Sequence, residues 1–204
     1  MIGERTMRTA AILSAFSAAF ILVGAAPAAA FEYTYLEGGI AIANGSDPDV
    51  DGDGPWVALS LAASSDAHIF AHFRSSDLDV TRVGVTTKTD EEQWGVGLGS
   101  NQTVTPDLDV LLRASYERVQ ADGLGAGGGT RTDNGFALEV GIRAMPIGRV
   151  EVNGGVAFRY LDSKGDTRGR IGTVVPFTDR AGLTARVEVD KDRTDLLAGL
   201  RVSF

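Results

Sequence analysis

Along most of the chain beyond residue 33, apolar side chains recur at every second position. Leu108, Val110, Leu112, Ala114 and Tyr116 fall on one face and Asp109, Arg113, Ser115 and Glu117 on the other, because successive strand side chains point to opposite sides. The same split sets Phe136, Leu138, Val140 and Ile142 against Glu139, Gly141 and Arg143. It sets Val150, Val152, Val156 and Phe158 against Glu151, Asn153 and Arg159. At the end, Leu196, Ala198, Leu200, Val202 and Phe204 oppose Asp195, Gly199, Arg201 and Ser203. This period predicts strands at 33–43, 55–63, 67–75, 92–102, 108–120, 135–145, 149–161, 167–177, 183–190 and 194–204. The predicted class is all-β, an antiparallel up-and-down barrel of about ten strands, with eight as an alternative that keeps the same parity.

Alternation alone does not say which face is wet. A soluble barrel hides its apolar face, whereas a membrane barrel turns that face to lipid and lines its lumen with the polar one. Turn lengths favour the second. Ser64–Asp66, Thr103–Asp107, Pro146–Gly148 and Thr178–Gly182 read as short turns, while Asn44–Gly54, Ser76–Glu91 and Ala121–Asn134 read as long loops. Short periplasmic turns and longer external loops mark outer-membrane barrels. On this threading Phe177 and Phe204 lie at the periplasmic rim with Phe31 close by. Phe73, Trp94, Tyr116, Phe136, Phe158 and Tyr160 lie at the outer rim, where aromatic rings favour the interface, and Tyr33 and Trp56 point inward.

The first thirty residues read differently. Arg5 and Arg8 precede the apolar run from Ala10 to Val23, too short to span a bilayer as a helix and suited to a secretory signal. Ala28 and Ala30 give the small-x-small cleavage pattern, so 1–30 is expected to be a cleaved signal peptide and 31–204 the barrel.

Composition narrows the chemistry. The 204 residues contain no cysteine and carry a net charge of −8, which excludes disulfide, cysteine–zinc and thiol chemistry and gives no positive field for nucleic acid. Asp49-Val50-Asp51-Gly52-Asp53-Gly54 copies the opening of a calcium loop, but its closing acidic residue is absent, since Ser60 stands there. It reads as a solvated acidic loop tip, with weak cation bridging to lipopolysaccharide as the alternative. His68 and His72 are the imidazoles an enzyme would need. Strand parity puts His72 and Ser75 on opposite faces, so no catalytic site, cofactor or metal is expected.

The signal pattern, the alternating strands and the run from Leu196 to Phe204 resemble the small outer-membrane β-barrel proteins of Gram-negative bacteria, the OmpA-like and opacity-like barrels among them. The opening Tyr33-Thr34-Tyr35-Leu36-Glu37-Gly38-Gly39 and Arg113-Ala114-Ser115-Tyr116-Glu117-Arg118 are also similar to a family of small bacterial barrels whose name refers to activation of plant immunity. The resemblance implies outer-membrane lipid and lipopolysaccharide as surroundings, and the barrel-assembly machinery and periplasmic chaperones as partners during biogenesis. Leu196, Ala198, Leu200, Val202 and Phe204 match the assembly signal, with Leu197 where some versions carry a polar residue.

Inward parity assigns Glu37, Arg74, Arg113, Glu117, Glu139, Arg143, Glu151, Arg159, Arg186, Glu188 and Arg201 to the lumen. A ten-stranded barrel is narrow, and buried charges are costly unless paired, so these side chains are expected to plug it. Gly95, Gly97 and Gly99 would leave room for the long arginines, and Gly123–Gly129 would form a flexible external loop. The expected function is structural, envelope-stabilising and surface-displaying, with an unidentified extracellular ligand at the loops. The alternative is a narrow passive channel.

Overall fold

The computed structural model describes residues 31–46, 49–82, 84–124, 129–162 and 164–204; the signal-peptide expectation, with Ala28 and Ala30, lies outside them. Ten strands run in sequence order: β1 Tyr35–Ser46, β2 Asp49–Ala62, β3 Ala67–Arg82, β4 Val85–Thr105, β5 Leu108–Leu124, β6 Gly129–Ile147, β7 Val150–Leu161, β8 Lys164–Pro176, β9 Ala181–Val189 and β10 Arg193–Ser203. Each pairs antiparallel with its neighbours in sequence, and β1 pairs with β10, so the sheet closes on itself and has no free edge. The count is therefore ten rather than eight.

Closure brings two glycines together at the seam. Gly39 and Gly199 are register partners. A Cβ on Gly39 would lie 1.9 Å from the Ala198 carbonyl oxygen, and one on Gly199 would lie 2.1 Å from that of Gly38. The first and last strands meet this closely only because neither position carries a side chain.

The apolar face is outside. Leu98 is 66% exposed, Val140 56% and Ile171 60%, in a belt that continues through Ile40, Val96, Val156, Leu183 and Leu200. A contiguous exposed band of this size is unsustainable in water and is the lipid-facing surface of a membrane barrel. Phe73, Trp94, Tyr116, Phe136, Phe158 and Tyr160 are also outward, with Trp94 against Tyr116 and Phe136 against Tyr160 across strand pairs. Phe177 and Phe204 mark the opposite rim. Phe31 departs from expectation: it turns into the lumen and packs on Tyr33 and Leu111.

The long-loop expectation is corrected. Most of 44–54, 76–91 and 121–134 is strand: β1 and β2 pair out to Ser46 and Asp49, β3 and β4 to Arg82 and Val85, and β5 and β6 to Leu124 and Gly129. β4 has 21 residues, against the ~9–11 that cross a bilayer. Roughly half of it therefore stands beyond the membrane. Their outward face is polar, with Asp77, Asp79 and Asp90 exposed, while Ser76, Leu78 and Thr89 are buried inside, so the apolar-outward alternation of a lipid-facing strand stops there. β7 to β10 have 9 to 13 residues, and the external wall is tall on one side and low on the other.

Candidate functional site

The polar parity of every strand converges on the lumen, and in the periplasmic half it forms one connected network. Glu37 on β1, 1% exposed, accepts from Arg201 Nε of β10 at 2.6 Å and from Arg186 Nη2 of β9 at 2.9 Å. Arg201 Nη1 also donates to Glu151 of β7 at 2.8 Å, and Glu151 accepts from Arg143 Nε and Nη2 of β6 at 3.1 and 2.6 Å. The chain of pairs crosses the barrel from β1 and back to β6. Aromatic rings seat it: Arg143 lies over Tyr33 at 4.5 Å and Phe31 at 5.1 Å, and Arg201 over Tyr35 at 4.2 Å. Below, Phe31, Tyr33 and Leu111 pack with Met145, and the Tyr33 hydroxyl donates to the buried Asp109 at 2.7 Å.

The two histidines occupy notches cut by glycines. His68 stacks on Tyr33 at 4.9 Å and accepts at Nε2 from Arg113 Nε at 3.1 Å, which assigns its ring proton to Nδ1 and leaves it neutral. A Cβ on Gly99 would lie 2.2 Å from His68 Nε2, and one on Gly95 2.5 Å from His72 Cε1; on Gly97 it would meet the Phe70 ring at 2.7 Å. The glycines thus make room for rings on β3, not for arginines as the sequence suggests. Because Tyr33 and Arg113 hold the His68 ring in place, Gly99→Val is expected to lower stability by ~1–3 kcal/mol. The midpoint of urea unfolding in lipid vesicles measures this, and an unchanged midpoint would mean that the ring moves freely.

His72 Nε2 lies 3.1 Å from Glu117 Oε2, and Ser115 Oγ donates to Glu117 Oε1 at 2.5 Å. The carboxylate stands between hydroxyl and imidazole, whereas nucleophilic catalysis needs the imidazole between them. Toward the external end, Arg74 Nη1 donates to Asp195 at 2.8 Å, Arg193 bridges Asp195 and Glu91, Arg159 makes a two-pronged contact with Asp166, and Arg168 holds Glu188 and Asp190. Arg170 pairs with Glu139. Asp190 sits in the β9–β10 turn. Burial raises its pKa, but the Asp192 N–H, the Arg168 charge and the Arg193 N–H prevail and hold the carboxyl below its usual range.

All the charged residues assigned to the lumen from sequence face inward, and the pairs above join them, except that Arg113 has no carboxylate partner and meets the His68 imidazole and the Phe70 ring. Sequence reading put Asp109 and Asp195 on the polar faces without assigning them to the lumen, and passed over Arg168, Arg170 and Arg193, although the same parity contains them. Leu196, Ala198, Leu200, Val202 and Phe204 line the outward face of β10, while Leu197 points inward against Ala41 and Trp56. Asp49, Asp51 and Asp53 lie on an extended strand, with Asp51 opposite Asp79 and Asp53 opposite Asp77, so they do not wrap around a cation. Among the described residues no group of three His, Asp or Glu side chains could hold a metal ion. Between the periplasmic network and the external pairs there remains a cavity of about 140 Å³, room for a few waters.

A closed antiparallel barrel with lipid-facing apolar residues outside and paired charges within is the fold of small outer-membrane β-barrels. The chain is similar in structure to the NanC porin, with a TM-score of 0.52 at 8% identity over 82% of this chain and 100% of that one. It is also similar to the outer-membrane protein OprG from Pseudomonas aeruginosa, with a TM-score of 0.48 at 12% identity over 85% and 97% of the two chains. Neisserial surface protein A gives a TM-score of 0.43 at 16% identity over 83% and 96%. No family model matches the chain, and no curated protein matches it by sequence.

Proposed function

We propose that the chain is a non-enzymatic integral protein of a Gram-negative outer membrane, delivered by a cleaved signal peptide, with a closed lumen and a structural, surface-displaying role. The observation that carries the reading is the run of pairs Arg186–Glu37–Arg201–Glu151–Arg143, which crosses the periplasmic half of the barrel and rests on the Phe31–Tyr33–Leu111 cluster. Opening such a lumen means separating buried ion pairs, and a buried charge left without its partner is costly. The tall external wall of β2 to β6 then becomes the working surface, in contact with lipopolysaccharide and open to an extracellular ligand. Leu196, Ala198, Leu200, Val202 and Phe204, which face outward, serve as the assembly signal that chaperones and barrel-assembly machinery engage.

A narrow passive channel is the second reading, favoured by the cavity left in the lumen. Planar-bilayer recording separates the two. The closed barrel is expected to give no current steps above bare-lipid noise once protease protection has shown insertion. Regular ion steps would overturn it and make Arg113, Arg143 and Glu139 the first residues to replace.

A further inference from the structure

The lumen cavity is walled by more guanidinium groups than carboxylates. Its four glutamates are all engaged: Glu37 by Arg186 and Arg201, Glu117 by His72 and Ser115, Glu139 by Arg170, and Glu188 by Arg168 and Arg186. Of the lumen arginines among the described residues, Arg113 alone has no carboxylate within 4.0 Å, although it is only 8% exposed. Its Nε donates to the neutral His68 and its guanidinium covers the Phe70 ring at 5.2 Å, contacts that leave the positive charge uncompensated. Directly across the strand pair stands Glu139, whose charge is paired with Arg170, although Glu139 Oε1 and Arg170 Nε each make no hydrogen bond among the described residues. The indole N–H of Trp56, on the same cavity, is likewise buried and unpartnered.

An uncompensated buried guanidinium is costly, and a bound anion removes that cost. We infer that the cavity is a binding site for a small organic monocarboxylate. Arg113 and Arg170 meet the carboxylate, whose flat fork of oxygens suits guanidinium N–H groups, and Trp56, Phe70 and Leu197 border its apolar body. The volume sets the size. About 140 Å³ resembles the ~150 Å³ apolar cavity that accepts benzene, so the ligand has one small ring or a short branched chain. Inorganic anions lack the apolar body, and neutral rings lack the charge.

The test titrates the detergent-extracted full-length protein with sodium benzoate at constant ionic strength, following tryptophan emission and heat of binding, with benzamide as the uncharged counterpart. Saturable benzoate binding at least tenfold tighter than benzamide binding is expected. Arg113→Gln, which removes the uncompensated charge and is checked for folding by heat-modifiable gel mobility, is expected to weaken benzoate at least tenfold and leave benzamide unchanged. No saturation by roughly 20 mM benzoate, or equal binding of benzamide, overturns the site without need of any variant. Undiminished benzoate binding by folded Arg113→Gln overturns it too. Conductance is read separately, so a lumen that conducts and a cavity that does not bind are distinguishable failures.

Discussion

Replacing Glu37 by alanine is expected to destabilise the barrel by ~3–5 kcal/mol, because the substitution leaves two guanidinium groups, those of Arg201 and Arg186, without the carboxylate that joins them. Glu37 is almost wholly buried, and Arg201 would keep only Glu151, already shared with Arg143. Urea unfolding and refolding in lipid vesicles, followed by tryptophan emission, gives the difference. A shift below ~1 kcal/mol, the size typical of surface pairs, would show that the lumen is hydrated enough for water to replace the carboxylate, and the closed-lumen reading would lose its main support.

Val140→Arg is expected to cost ~2–4 kcal/mol, the depth-dependent penalty for a cation near the bilayer midplane. Val140 is outward on β6, two strand repeats from the aromatic Phe136. The matched control is Asp79→Arg on the outward face of the external extension of β3, where the new cation faces Asp51 across the strand pair. That change is expected to stay within ~0.5 kcal/mol, as for ordinary surface sites. If Val140→Arg proved as mild as the control, the apolar belt would be facing water, and the barrel would be a soluble one held by its polar interior. Vesicle-based urea titration of both variants provides the comparison.

Parity was the most informative property of the sequence. Once Leu108 to Tyr116 are placed on one face, Arg113 and Glu117 must share the other, and the same step puts Glu37, Glu151 and Arg201 in a common interior. What parity cannot give is the height of the wall. Asp77, Asp79 and Asp90 belong to paired strands, yet they read as loop because beyond the membrane the outward face turns polar while Leu78 is buried inward, which ends the apolar-outward alternation. Nor could it give the partners. That Glu37 holds Arg201 rather than Arg113 depends on barrel closure, which makes the two register partners on β1 and β10, and that Gly99 serves His68 depends on the register of β3 against β4. Arg168 and Arg170 were passed over because strand eight is short on apolar residues around them, although their position number has the lumen parity.

The Glu37 hub bears on how such a chain reaches its native form. Glu37 stands on the first strand, and its two cationic partners stand on the last two, 149 and 164 residues later. No part of this attraction exists while the sheet is still growing from one end. It arrives all at once when the seam between Gly39 and Gly199 zips, together with the final row of backbone bonds. A nine-strand sheet lacking the terminal segment would therefore hold the Glu37 carboxylate on one margin without either cation, and Arg186 on the other with Glu188 as its remaining partner. The Glu37 pairs with Arg186 and Arg201 thus tie the charge pairing of the interior to ring closure itself, so the two are completed together.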